Sequence, residues 1–141
     1  MCIALLYASY TDCKRREIPI WLFPSFFAAF LIVNYNTVST GKSLIGFSIA
    51  LAAYTMLAVF FNGGGGDILM MCVIGAVYGA KILMHIAIAA SLLCLIYYAK
   101  KKENTAPYAP FVLCAYILCF IGGYLYGSND YRFLGYRYFF L

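Results

Sequence analysis

The sequence predicts an all-α, polytopic membrane protein, a bundle of about six transmembrane helices. Three observations lead there. Hydrophobic residues make up 65% of the 141-residue chain and charged residues 11%, against about 45–50% and about 25% in soluble domains. The apolar residues gather in long runs parted by short polar stretches. The basic residues cluster at the ends of those runs, as Lys14-Arg15-Arg16 and Lys100-Lys101-Lys102. A chain of this length is one domain by size, and a small soluble core cannot hide so much apolar surface, whereas a bilayer removes the need. The net charge of +5 therefore reads as membrane orientation and contact with anionic headgroups. It does not read as a nucleic-acid footprint, and no nucleic-acid partner is expected.

Taken in order, the apolar runs predict helices over residues 1–11, 18–35, 43–61, 68–79, 82–99 and 109–127. A spanning helix needs about 20 apolar residues. The second, third, fifth and sixth runs meet that within tolerance. The first and fourth are short, and gain length from residues 12–16 and from the Gly79–Lys81 turn, or stand as part-helices covered by protein. The charges in the first run follow its apolar stretch, the reverse of a cleavable signal peptide, so this segment is expected to stay in the mature protein. With the N-terminus outside, the loops at 12–17, 62–67 and 100–108 face the cytoplasm. They carry Lys14, Arg15, Arg16, Lys100, Lys101 and Lys102, against Lys42 and Lys81 in the outer loops, as the positive-inside rule requires. Residues 1–127 form the membrane-embedded domain. Residues 128–141 form a tail whose Tyr131, Tyr136, Tyr138, Phe133, Phe139 and Phe140 alternate with Arg132 and Arg137, a composition suited to the headgroup interface.

Cysteines and acids divide the candidates for chemistry. The 6 cysteines include no C-x-x-C pair, so they read as packing thiols, with no metal and no cofactor expected. Of the acids, Glu103 and Asp130 lie in solvated surroundings and Glu17 is placed to pair with Lys14 or Arg16 at the surface, which is worth little. Asp12 and Asp67 differ, because each ends an apolar segment on the same expected side of the membrane. An acid at membrane depth is costly and is functional by default. Two carboxylates brought together do not both ionise. One stays protonated and polarises a carbonyl, while the other activates water. Helix capping is the plainer alternative for both acids, and it explains Asp67 better than Asp12.

The run Gly63-Gly64-Gly65-Gly66 before Asp67 breaks helical structure and exposes backbone to another chain, so Gly64 and Gly66 are candidate substrate-binding positions. A phosphate loop needs Lys and Ser or Thr to follow, and here Ile68 and Leu69 follow. Gly64-Gly65-Gly66-Asp67 resembles the GxGD motif of membrane aspartic proteases. Residues 12–19, Asp-Cys-Lys-Arg-Arg-Glu-Ile-Pro, resemble the other signature of the prepilin peptidase (type IV leader peptidase) family, and Pro107-Tyr108-Ala109-Pro110-Phe111 resembles the Pro-Phe-rich start of that family's last core helix. The likeness runs over residues 4–123. It implies catalytic roles for Asp12 and Asp67, a multi-pass protein of the inner (plasma) membrane with its site facing the cytoplasm, and removal of short basic leaders from type IV prepilin-like or competence-type precursors. Ile20 stands where the family usually has Asn, and Leu69 where it usually has Lys. The cysteine-rich insertion of the long bifunctional members is absent, which argues against methyltransferase activity.

His85 lies within an apolar run and reads as a packed or hydrogen-bonded neutral side chain before it reads as a proton relay. Ser91 has no acidic partner near it in sequence, so a serine triad is not supported. Two other functions compete with an aspartic peptidase. One is a catalytically inactive relative that binds pilin-like segments as an assembly factor. The other is a small proton or cation transporter subunit using Asp12 and Asp67, but the internal repeat that such a protein should show is not seen. The oligomeric state is not readable from the sequence.

Overall fold

The computed structural model describes residues 1–15, 17–34, 40–61, 64–101 and 107–126. Among these, all regular structure is α-helix, as expected: α1 (Cys2–Arg15), α2 (Leu22–Asn34), α3 (Thr40–Phe61), α4 (Gly65–Lys101) and α5 (Ala109–Tyr126). The aromatic tail, Lys102 and Arg16 lie outside the described residues.

Helix α1 runs past the expected end at residue 11 to Arg15. Its polar residues are absorbed by the helix itself, since the hydroxyl of Ser9 donates to the Leu5 carbonyl at 2.7 Å and that of Thr11 to the Ala8 carbonyl at 3.0 Å. Lys14 and Arg15 then fall in the last turn, where cations favour the helix dipole. Ala4, Leu5, Ala8, Ser9 and Asp12 form the buried stripe at helical spacing. Ile3, Leu6, Tyr7 and Tyr10 remain exposed on the other side, an apolar surface suited to lipid.

Helix α2 starts at Leu22, later than the expected residue 18. Proline disfavours helical geometry at the residue before it, which delays the helix beyond Ile18-Pro19. The Pro19 carbonyl then accepts the Leu22 N–H at 3.1 Å and opens the first turn.

The two helices expected at 68–79 and 82–99 form one element, α4, broken at a single residue. Gly79 has φ 79° and ψ 172°, a conformation essentially confined to glycine. The expected turn over residues 79–81 thus shrinks to Gly79, with helix resuming at once. Among the described residues, two helices are long and apolar enough to cross a membrane, Gly41–Val59 and Gly65–Lys100, and Ala109–Gly122 is a shorter apolar helix. The second of the long ones has 36 residues. Kept straight it would run to about 54 Å, well beyond a hydrocarbon core of about 30 Å. The break at Gly79 divides it.

The chain packs as two compact units. One holds α1, α4 from His85 onward, and α5; the other holds α2, α3 and α4 as far as Met84. In the first, α1 lies against α5, and α5 contributes buried Ala109, Val112, Ala115 and Tyr116 at helical spacing. In the second, α3 crosses α4 with backbone against backbone. A Cβ on Gly46 would collide with the Gly75 carbonyl and stand 3.0 Å from the Gly79 Cα, and a Cβ on Gly75 would collide with the Gly46 carbonyl. Gly46 and Ala50 on α3, with Gly75 and Gly79 on α4, are pairs of small residues four apart, the pattern that lets apolar helices approach closely in lipid. Leu83 reaches back to within 3.2 Å of a Gly75 Cβ position. Eight residues of straight helix would separate them by about 12 Å, so the Gly79 break is what folds Leu83 over the crossing. From Met70 to Ala76 α4 is buried on every side.

Candidate active site

Asp12 occupies the last turn of α1, on its buried stripe, and is 8% exposed. Its Oδ2 accepts the backbone N–H of Ala109 at 3.0 Å. The acid therefore caps a helix, as the plainer alternative had it, but the helix is α5, 97 residues away. The contact joins two of the three motifs found in the sequence, Asp12 and the Pro107–Phe111 segment.

The start of α5 leaves that N–H available for a definite reason. First-turn N–H groups have no partner within their own helix. Pro110 has none to offer. Those of Phe111 and Val112 both go to the Tyr108 carbonyl, at 3.0 and 3.2 Å. Ala109 is fully buried, so no water competes for its donor. The Phe111 ring in turn meets Tyr97 of α4 edge to face, with centroids 5.4 Å apart and planes at 60°.

Asp67 lies in the first turn of α4, where a carboxylate favours the helix dipole. Its N–H donates to the Gly64 carbonyl at 3.1 Å and its side chain is half-buried. The glycines before it differ sharply. A Cβ on Gly65 would meet nothing within 4 Å, and one on Gly64 only Asp67 Oδ2 at 3.8 Å. A Cβ on Gly66 would stand 2.7 Å from Ile18 Cβ and 3.1 Å from the Ile18 carbonyl oxygen. Gly64 and Gly65 thus face open space, while Gly66 is closed by the Ile18-Pro19 segment, which joins the second motif to the rest of the first. Asp67, Gly64, Gly66 and Ile18 come together in one unit, and Asp12 and Ala109 in the other.

Around α1 the cation of Lys14 lies 3.4 Å from the Tyr10 hydroxyl and 5.7 Å from its ring centre, a cationic and aromatic pair at a helix end. Glu17 is exposed. His85, expected as a packed or hydrogen-bonded side chain, is exposed on α4 and has an interaction partner there. The described cysteines are all free thiols, with Cys72 buried and Cys13 and Cys114 exposed. Among the described residues no three His, Cys, Asp or Glu side chains gather as a metal site would require.

Among the described residues the fold is all-α, with helices long and apolar enough to cross a membrane, the class of a helical membrane protein. The chain belongs to the type IV leader peptidase family, which it matches over residues 1–99. Membership carries peptidase activity of the type IV leader kind, with prepilin-like proteins as the substrate class and a pilus or secretion setting. No curated protein and no solved structure matches the chain. The matched stretch includes Asp12, Ile18, the glycine turn and Asp67, and ends before α5.

Sequence reasoning missed two features. The glycine crossing of α3 and α4 had a readable signal, the Gly75-x-x-x-Gly79 spacing within an apolar helix. The hold of Asp12 on Ala109 had none, because nothing local links positions so far apart.

Proposed function

We propose that this protein is a membrane-embedded aspartic endopeptidase that removes the short basic leader of type IV prepilin-like precursors at the cytoplasmic face of the plasma membrane. Asp12 and Asp67 form its catalytic pair. In this reading α4 counts as two spans parted at Gly79, giving six spans and an N-terminus outside. Both acids then lie at the cytoplasmic ends of their helices, beside the basic clusters.

The observation that carries the reading is Asp12, a buried carboxylate on an apolar helix in a chain of a peptidase family. Such a group is expensive to keep unless it serves a purpose. With a substrate strand seated along the open backbone of Gly64 and Gly65, one carboxylate takes a proton from water as the water oxygen attacks the scissile carbonyl carbon. The other, protonated, hydrogen-bonds to the carbonyl oxygen as negative charge develops there. Collapse of the tetrahedral intermediate breaks the C–N bond, and the proton passes to the leaving amine. Gly66 serves by admitting Ile18, which fixes the turn that carries Asp67.

The test is cleavage of a prepilin-like precursor by purified protein in liposomes, read as a gel shift. Asp12→Asn and Asp67→Asn are each expected to lose activity by at least the roughly 10²–10⁴-fold of a missing acid or base, with no further loss in the double variant. The amide of Asp12→Asn keeps an oxygen to accept the Ala109 N–H, so this substitution removes the chemistry and spares the cap. Full activity in either amide variant rejects the pair. A wild-type protein that binds several precursors and cleaves none points to an assembly factor.

A further inference from the structure

The geometry points to the N-terminus of α5 as the device that positions Asp12: the Ala109 N–H fixes one carboxylate oxygen, and the Tyr97–Phe111 contact fixes the N–H. The inference rests on Asp12 acting in catalysis, as proposed above.

A carboxylate at the end of a helix can turn about two side-chain bonds, and a catalytic group displaced by about 1 Å can cost roughly 100-fold in rate. Asp12 is therefore useful only if something holds it. The donors at the start of α5 leave one candidate. Pro110 has no N–H, Phe111 and Val112 spend theirs on the Tyr108 carbonyl, and the buried Ala109 N–H points to Asp12 Oδ2 at 3.0 Å. A backbone donor at a helix start does not change rotamer, so its precision depends on what holds the helix. That is the packing of α5 along α1 and the edge-to-face contact of Phe111 with Tyr97 at the far end of α4. The family match ends at residue 99, so the positioning group is supplied by a segment beyond it. Ala109 is a positioning residue through its main chain, and Phe111 and Tyr97 through their rings.

The experiment replaces the Ala109 amide with an ester by incorporating lactic acid at position 109 in the full chain, translated into liposomes. It removes one N–H and adds no bulk. Cleavage of a prepilin-like precursor is followed at varied precursor concentration, per folded protein. The expected result is a roughly 10- to 100-fold fall in kcat, the worth of a hydrogen bond to a charged group, with KM unchanged within about twofold. Phe111→Leu lowers kcat in the same sense, and Phe111→Tyr restores it. If the ester protein does not insert, Ala109→Pro removes the same donor at a helix position that tolerates proline, and the same criterion applies. A kcat within about twofold of wild type, or a change confined to KM, overturns the positioning role. If Asp12→Asn is inactive at the same time, the catalytic pair stands without it. Full activity of Asp12→Asn overturns both.

Discussion

Adding one methyl group at Gly46 or Gly75 should separate α3 from α4. A Cβ on Gly46 would lie against the Gly75 carbonyl group, 2.7 Å from its carbon, and one on Gly75 would lie 2.9 Å from the Gly46 carbon. Ordinary carbon contacts sit near 3.5–4.0 Å. The obstructing atoms are main chain in both directions, so no rotamer change relieves the clash, and the helices must part by about 1 Å. A gap of that size forfeits about a quarter to a half of each contact's attraction along the crossing. Overpacking of this kind costs about 1–3 kcal/mol. Gly41 lies on the same helix with nothing within 4 Å of its Cβ position. There the methyl should help slightly, by less than the about 0.5–1 kcal/mol of a helix-interior glycine, because Gly41 sits in the first turn of α3. The two substitutions are chemically identical and opposite in sign. Reversible unfolding in mixed micelles, with Gly46→Ala, Gly75→Ala and Gly41→Ala measured beside wild type, reads the difference directly. Gly46→Ala as stable as Gly41→Ala would refute the crossing. Pairing Gly46→Ala with Gly75→Ala should cost less than the sum of the two, because the first already opens the gap.

Other expectations follow from single residues. Gly79→Ala has free space at its Cβ, so its cost is backbone strain alone, about 1–3 kcal/mol in the same unfolding assay. An unchanged stability would show that α4 does not need the break. Asp12→Ala removes both the charge and the acceptor for Ala109, and should lower stability by about 1–3 kcal/mol where Asp12→Asn costs about 1 or less; equal losses in the two would mean that the cap is worthless. Gly66→Ala should displace Ile18 and lower cleavage, while Gly65→Ala, with nothing in its way, should leave folding intact and act only on substrate binding, visible as a raised KM. Cysteine accessibility at positions 14 and 100 should place both on the same face of the membrane. Labelling from opposite faces would break the six-span topology.

Helices suited to a bilayer were legible from the residues alone, because apolar runs and flanking cations are local facts that no tertiary arrangement changes. The sequence also singled out Asp12 and Asp67, since an acid beside an apolar run is conspicuous wherever the run packs. Helix ends were less legible. Asp12–Arg15 looks like a loop by polarity, yet it continues α1, because hydroxyls bond back to the helix and cations suit its last turn. The turn predicted after residue 79 came down to one glycine, because a single residue at φ 79° redirects a helix without ending it. Which groups meet was not legible before the helices were packed. The glycines at 64, 65 and 66 look alike in the sequence, and Ile18 alone makes the third a packing position and leaves the others open. Asp12 reads locally as the end of its own helix, and its partner is the start of another. Spacing encodes which face of a helix a residue occupies; what that face touches depends on packing between segments far apart along the chain.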